Sequence, residues 1–424
     1  MRTRIRGGRV IDPANGVDAM LDVFIADGKI LAVAAELDQF DADTEINAHG
    51  SWVIPGLVDL CARLREPGQE HKATIKSETR AAAASGITTL CCPPDTLPII
   101  DTPAVAELIQ NRAERAGYAN VIPIGALTQG LQSIQLSEMA ALKKAGCPAV
   151  ANIKSITNSQ IQRLAMEYAQ THQLTVFINP VDEWLSNNGC AHEGKVSTLL
   201  GLPGIPVAAE TAAVARDLAL IELLGVKAHF TRLSTAPAVR MIARAQYDGL
   251  PVTADVCAHQ LHLTEMDIND YNSQCHVIPP LRTQRDKEGL REGVLQNVIQ
   301  AICSDHQPHE ADAKLAPFCS TQAGISALET LLPLTLRLHD EDNMPLSETI
   351  RRITSGPASL LNISAGTLTP GSQADICIID PERIWRLDEH SIQSKGHNSP
   401  FIGWEFKARV THTLFKGKLV YTLD

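Results

Sequence analysis

The strongest constraint on the fold is a repeated alternation of short apolar runs with helix-like segments between residues 52 and 363. Each run is rich in β-branched residues, and the segments between the runs place apolar residues at helical spacing. Repeated strand–helix units over this length predict an α/β protein with a (β/α)8 TIM-like barrel, whose functional side chains lie at the carboxyl ends of the strands. The clearest runs are Thr88–Cys91, Val121–Ile124, Thr175–Ile178, Ala228–Phe230, Val252–Asp255 and Ala301–Asp305.

The two ends of the chain have a different texture, with short alternating segments separated by turn signals. These segments are Thr3–Val10 and Leu21–Ile25 near the start, and Ala374–Asp380 and Ala408–Leu414 near the end. We expect the strands of one end to pair with those of the other. The sequence therefore predicts a composite β-sandwich domain from residues 1–53 and 365–424, with a barrel domain inserted at residues 54–364.

Charge and hydropathy exclude several classes of function. The net charge of −11 argues against nucleic-acid binding, because such proteins present basic surfaces. No apolar run is long enough to cross a membrane, and the first residues lack the apolar core of a signal peptide. We therefore expect a cytoplasmic protein whose ten scattered cysteines are free, mostly buried thiols.

The segment Trp52–Gly68 resembles the signature of the cyclic amidohydrolases, and of dihydroorotase most closely. That signature has a Pro-Gly turn, an aspartate, a His-x-His pair and then an Arg-x-Pro-Gly turn. In this chain the frame is intact, but Cys61 and Arg63 stand at the two histidine positions. Further motifs extend the resemblance over nearly the whole chain, so it implies an amidohydrolase-type barrel.

The resemblance also implies what an active site of this family contains. One or two divalent metals are held by four histidines, a bridging lysine or aspartate and a last aspartate, and a metal-bound hydroxide attacks a ring amide. Aligning the motifs puts Asn152 at the bridging position and Pro180 and Arg232 at two histidine positions. Of the metal-site residues, Asp305 is the one that clearly remains.

Other residues near these positions have competing interpretations. Lys154 could be a carboxylated lysine ligand, but a surface or ion-paired lysine is the simpler interpretation. His229 survives at an odd offset from Arg232, which favours a core histidine over a ligand. His259 retains one of a pair of histidines in the family pattern.

Four positions match the substrate pocket of the family. Arg65, at the position of a substrate-carboxylate arginine, and His309 keep the family residue, whereas Asp95 replaces an asparagine that would assist the arginine and Ile278 replaces an asparagine that contacts the pyrimidine ring. A small-molecule sensor that keeps this pocket without turnover is therefore conceivable. The apolar Ile278 and the added carboxylate of Asp95 both disfavour an anionic ligand.

We expect a catalytically inactive dihydroorotase homologue without metal or other cofactor. Arg63 and Arg232 would neutralise Asp305 where the cations stood, so we expect an ion pair between Asp305 and at least one arginine. The chain resembles the non-catalytic dihydroorotase-like chains that accompany aspartate carbamoyltransferase in bacterial pyrimidine biosynthesis. That resemblance implies an assembly subunit that binds the catalytic chain, as a homodimer within a larger hetero-oligomer.

The alternative is an active cyclic-amide hydrolase with a reduced one-metal site. Its ligands would be Cys61, His259 and Asp305. A stoichiometric divalent ion that is lost on Cys61→Ala or Asp305→Ala would identify this alternative.

Overall fold

The computed structural model describes residues 2–423 and contains a closed barrel of eight parallel strands. Neighbouring strands pair in parallel, and the third strand is broken at Ile124, so its first half pairs with the second strand and its second half with the fourth. The last strand returns to the first, where the backbone amide of Arg63 donates to the carbonyl of His306 at 2.9 Å. The strands are Leu57–Asp59, Ile87–Cys92, Asn120–Pro123 with Gly125–Ala126, Ala149–Ala151, Thr175–Ile178, Ala228–Phe230, Val252–Cys257 and Ala301–Cys303.

Helices cover the outside of the barrel and pack their apolar faces on the strands. Threonines cap several of them; for example, Thr74 and Ser77 form a reciprocal capping box at the start of the first helix. The main helices are Ile75–Ala84, Pro103–Ala116, Met139–Lys144, Ser159–Thr171, Ala208–Leu224, Ala236–Tyr247, Gln284–Leu295 and Leu328–Asp342. Shorter helices are Glu183–Ser186, Lys195–Leu200, Leu346–Arg351 and Ser355–Leu361.

Both chain ends contribute to one mixed sheet of eight strands beside the barrel. Trp52–Pro55 is the central strand, parallel to the first strand of the chain and antiparallel to Ile376–Arg386. A second apolar core, including Ile5, Val23 and Ile376, lies against this sheet. The other strands are Arg2–Asp12, Val17–Ala26, Lys29–Ala34, Thr44–Asn47, Glu405–Phe415 and Lys418–Thr422. The predicted fold class, a barrel with a β domain built from both ends, is confirmed.

The chain passes from the sheet into the barrel at Gly56. Residues before it pair with the chain ends, and residues after it form the first barrel strand. A Cβ atom at position 56 would collide with the side chain of Thr88, so only glycine fits this crossing. The Trp52–Gly68 segment thus serves both domains and ends at the mouth of the barrel.

The prediction that all cysteines are free is wrong for one pair. Cys190 and Cys319 form a disulfide with a Cα–Cα distance of 5.4 Å, which joins the loops after the fifth and eighth barrel strands. The two residues are 129 positions apart, so no local spacing in the sequence signals their pairing. Within residues 2–423, no helix combines the length and the apolar character that crossing a bilayer requires.

Candidate functional site

Asp305 lies at the carboxyl end of the eighth strand and is the centre of the site. Its carboxylate is buried and surrounded by donors. Oδ1 is 3.1 Å from Nη1 of Arg63, 3.2 Å from Nη1 of Arg232 and 3.3 Å from Sγ of Cys61. Oδ2 accepts a hydrogen bond of 3.1 Å from the side-chain amide of Gln307. Both carboxylate oxygens are therefore engaged by protein groups.

Arg63 and Arg232 reach Asp305 from the first and sixth strands. Both side chains are buried, and Nε of Arg63 also donates to Asp95 at 2.7 Å. The expected ion pair is therefore present, and both arginines take part in it. Two guanidinium groups against two carboxylates leave this cluster close to electrical balance, which a buried set of charges requires.

The charges around Asp305 set the ionisation of its neighbours. Burial opposes ionisation of Asp305, but Arg232 and Arg63 overcome it and lower the pKa of this carboxyl group. Burial, together with the negative charge of Asp305, raises the pKa of the Cys61 thiol well above its ordinary value. Cys61 is therefore a neutral thiol that donates to Asp305, and a thiol is a poor metal ligand because binding requires the thiolate.

Three residues of the site have a left-handed backbone, which residues other than glycine rarely adopt. The φ angles are +62° for Arg65, +56° for Arg232 and +47° for Asp305. Such strain persists only where the surrounding structure enforces it, and it is concentrated at functional sites. The strained backbone therefore marks the barrel mouth as the candidate functional site.

The residues at the metal positions do not fit a divalent cation. Guanidinium groups offer only donors and repel a dication, and Pro180 has no polar side-chain atom. The amide of Asn152 is bonded to Thr128, with its Nδ2 2.9 Å from Oγ1. In the described part of the chain, no three or more His, Cys, Asp or Glu side chains are arranged to hold a metal ion.

Lys154 and His229 both lie outside the site. Lys154 is exposed on the surface and pairs with Glu183 at 3.1 Å. His229 is fully buried, with Nδ1 2.8 Å from Thr253 and Nε2 2.9 Å from Asp255. The interpretations of an ion-paired surface lysine and a core histidine are both confirmed.

His259 is buried near Asp305, but neither of its ring nitrogens has a hydrogen-bond partner in the described residues. Burial lowers its pKa to about 4, so the ring is neutral at physiological pH. The structure brings Cys61 and Asp305 into contact, and it places the two arginines on the same carboxylate oxygen. A metal held by Cys61, His259 and Asp305 would have to displace both guanidinium groups.

Arg65 and His309, predicted at substrate-binding positions, lie against each other. Nη2 of Arg65 lies 3.1 Å from Nε2 of His309, which also lies 3.0 Å from the carbonyl oxygen of Ala323, and Nζ of Lys72 lies 3.2 Å from Nδ1 of the same ring. Burial lowers the pKa of His309 to about 3, so this ring is neutral as well. Asp95 is committed to Arg63, and Ile278 is apolar and half-buried.

The cavity at the barrel mouth is small. It has a volume of about 30 Å³ and is lined by side chains that include Cys61, Arg63, Asn152 and Arg232. Ligand pockets typically enclose about 300–1,000 Å³, whereas about 10–15 Å³ suffices for one water molecule. The cavity therefore has room for a few water molecules and not for a pyrimidine ring.

Sequence reasoning missed two residues that position the site. Asp255 accepts the backbone amide of Arg232 at 2.6 Å and holds His229, so it fixes the strand end that carries Arg232. Asn398, from the C-terminal segment, accepts the backbone amide of His309 at 2.8 Å and donates to the carbonyl of Gln307. The acidic residue inside the Val252–Asp255 strand was a usable signal for the first, but nothing local marks Asn398.

Comparisons with known proteins agree with this architecture. The dihydro-orotase-like family matches residues 50–237, and the amidohydrolase family matches residues 312–421. An L-hydantoinase from Arthrobacter aurescens superposes with a TM-score of 0.88 at 21% identity, covering 100% of this chain and 97% of its own. A D-hydantoinase gives a TM-score of 0.86 at 21% identity over 100% of this chain and 95% of its own. The fold is therefore that of the amidohydrolase superfamily.

Relatives that match nearly the whole chain show which family of the amidohydrolase superfamily it belongs to. A dihydroorotase-like protein of Pseudomonas aeruginosa is 49% identical over 422 residues, covering 99% of this chain and 100% of the relative. A dihydroorotase of Syntrophotalea carbinolica is 42% identical over 425 residues, with 100% of both chains covered. The chain belongs to the dihydroorotase-like family.

Proposed function

We propose that this protein is a catalytically inactive member of its family, and that it serves as an assembly subunit for aspartate carbamoyltransferase. One observation carries the first part. The carboxylate of Asp305, which the resemblance assigns to the metal site, is engaged at Oδ1 by Arg63, Arg232 and Cys61. Without a metal, a ring amide has neither an activated water nor a polarised carbonyl.

The assembly role is supported by what the chain has kept. The strained backbone of the site, the barrel and the composite sheet are all intact, although the metal positions have changed. A scaffold kept without its chemistry is most simply explained by a surface that binds a partner. The identity of the partner rests on the sequence resemblance described above.

Two experiments test the two parts of the proposal. Purified protein is assayed with dihydroorotate and with carbamoyl aspartate, with added zinc and without it, and we expect no turnover above the uncatalysed rate. The catalytic chain of aspartate carbamoyltransferase from the same organism is then mixed with the protein, and their association is measured by sedimentation velocity. A zinc-dependent turnover contradicts the inactive assignment, and the absence of a complex contradicts the assembly role.

A second candidate is an active hydrolase that uses a reduced site. It is favoured by the neutral His259, whose ring nitrogens have no hydrogen-bond partner within residues 2–423, so that its unprotonated nitrogen can bind a metal. It requires one metal per chain, bound in a way that depends on Cys61 and Asp305. Metal that is present in the native protein and lost on Cys61→Ala supports this candidate, whereas metal that is retained in the variant contradicts it.

A further inference from the structure

Large apolar side chains are concentrated on the loops at the mouth of the barrel. We use the term rim for the loops after the third, fifth, seventh and eighth strands, residues 127–138, 179–207, 258–283 and 304–327. Two rim side chains, Trp184 and Leu315, are 82% and 79% exposed. Further exposed apolar side chains of the rim are Ile134, Leu199, Met266 and Tyr271. Several large apolar side chains exposed at one end of a domain favour a binding surface over an ordinary solvated one.

Bonds between the loops hold this surface together. The hydroxyl group of Tyr271 donates to the carbonyl of Leu200 at 2.9 Å, which joins the seventh loop to the fifth. Arg282 donates to the carbonyl of Ile205 at 2.6 Å and forms a second link between the same loops. The Cys190–Cys319 disulfide ties the fifth loop to the eighth. The apolar side chains of the fifth, seventh and eighth loops are therefore presented from linked loops, which lowers the entropy lost when a partner docks.

The charge of the rim defines the chemistry of a partner. Lys195 is the one exposed lysine or arginine of the rim, since Arg282 and Lys314 are buried. The exposed acidic residues of the same loops are Glu138, Glu193, Asp267, Asp270 and Asp312, together with Glu183, which pairs with the exposed Lys154 of the loop after the fourth strand at 3.1 Å. An acidic surface repels nucleic acid and anionic membranes, and it attracts a basic protein surface.

We propose that the rim is the docking face for a protein partner that presents an apolar surface edged with lysine and arginine. The proposal deepens the assembly role and rests on it, because the first partner to test is the catalytic chain of aspartate carbamoyltransferase. The buried cluster around Asp305 lies below the rim and needs no metal to hold its charges. Docking at the rim therefore requires no catalytic chemistry at the mouth.

The test uses the full-length protein, the purified catalytic chain and two rim variants. The apolar variant carries Trp184→Ser, Leu199→Ser and Leu315→Ser, and the charge variant carries Glu193→Lys and Asp312→Lys. All five side chains are exposed, so the folded state should survive, as checked by circular dichroism and thermal unfolding. We expect each variant to weaken the complex at least about tenfold in sedimentation velocity, because apolar anchors and complementary charge both contribute to binding.

A matched control distinguishes the rim from any other exposed apolar surface. Leu223→Ser with Tyr247→Ser changes two side chains that are 70% and 84% exposed on the helices outside the barrel. We expect this variant to bind as tightly as the wild type. If the wild type binds the catalytic chain and both rim variants bind it equally well, the rim is not the docking face, and the assembly role stands. If the wild type forms no complex, the assembly role is wrong, and the rim's assignment to this partner fails with it.

Discussion

Two clusters of buried polar groups lie side by side at the end of the eighth strand, one around Asp305 and one around His306, and they differ in the partners that they hold. At the mouth, the metal positions hold Arg63, Arg232 and Cys61 around Asp305. One residue further along the chain, His306 is fully buried and keeps a carboxylate partner, with Nε2 2.8 Å from Glu78. Nδ1 of His306 accepts the backbone amide of Ala327 at 3.0 Å, so Nε2 carries the hydrogen that bonds to Glu78.

The cluster around His306 holds parts of the fold together, whereas the cluster around Asp305 lies at the candidate functional site. Glu78 also accepts hydrogen bonds from Ser77 at 2.7 Å and from Ser394 at 2.6 Å, so it joins the first helix to the C-terminal segment. These groups close the structure and lie away from the cavity. Arg63, Arg232 and Cys61 face the mouth, where their donors satisfy Oδ1 of Asp305.

The largest effect is expected from breaking the buried pair of His306 and Glu78. His306→Ala leaves Glu78 buried with its ring partner missing, which should lower the free energy of unfolding by about 3–5 kcal/mol. Urea denaturation monitored by circular dichroism measures this change. The exposed His71 provides the control, because His71→Ala should change stability by less than about 0.5 kcal/mol. A small effect of His306→Ala would mean that the pair is not a scaffold element.

A smaller loss is expected at the mouth. Asp305→Asn keeps the shape of the side chain but leaves Arg63 and Arg232 without the carboxylate between them. Asp95 still neutralises Arg63, so we expect a loss of about 3 kcal/mol in the same denaturation assay. The exposed Asp340 serves as control, with Asp340→Asn close to wild type. Stabilisation by Asp305→Asn would indicate that the carboxylate is unsatisfied, as it would be if a missing metal were its natural partner.

Asp217 is a third buried carboxylate, and it differs from Asp305 because only one of its two oxygens has a hydrogen-bond partner in the described residues. Asp217 pairs with Arg216 at 2.9 Å, but its Oδ2 has no partner in the described residues. Burial raises its pKa to about 6, whereas the donors around Asp305 lower the pKa there. The folded state thus binds a proton at Asp217 more tightly than the unfolded chain, whose aspartate pKa is about 3.9.

This shift predicts a pH dependence of stability. The contribution of Asp217 should increase stability as the pH falls from about 6 to about 4, since the folded state takes up the proton first. Relative to wild type, Asp217→Asn should remove about 1–2 kcal/mol of this dependence. Denaturation curves at several pH values measure it, with Glu222→Gln on the exposed face of the same helix as control. Identical pH profiles for wild type and Asp217→Asn would contradict the raised pKa.

The smallest effect is expected at Lys154. Its ion pair with Glu183 is exposed, and such pairs contribute about 0–1 kcal/mol. Lys154→Ala should therefore shift the free energy of unfolding by less than about 0.5 kcal/mol and leave the metal content unchanged. Stoichiometric metal in the wild type that is lost on Lys154→Ala would restore the carboxylated-lysine interpretation.

The sequence predicted the barrel because repeated strand–helix units over about 300 residues leave few other ways to bury the apolar runs. It also predicted the pairing of Asp305 with arginine, since motifs fixed the register of each strand end. It could not predict contacts made by distant segments, such as Asn398 at His309 or the bond between Cys190 and Cys319. These depend on how loops of different strands meet above the barrel, and neither periodicity nor spacing encodes that.

The most direct test of the central claim is the metal content of protein purified without chelators, measured by elemental analysis per mole of chain. The arginines at Asp305 predict a value near zero that does not rise after incubation with zinc and desalting. Aspartate carbamoyltransferase association should be the same before and after that incubation. A value of about one or two zinc ions per chain, the loading of an active site in this class, would contradict the account.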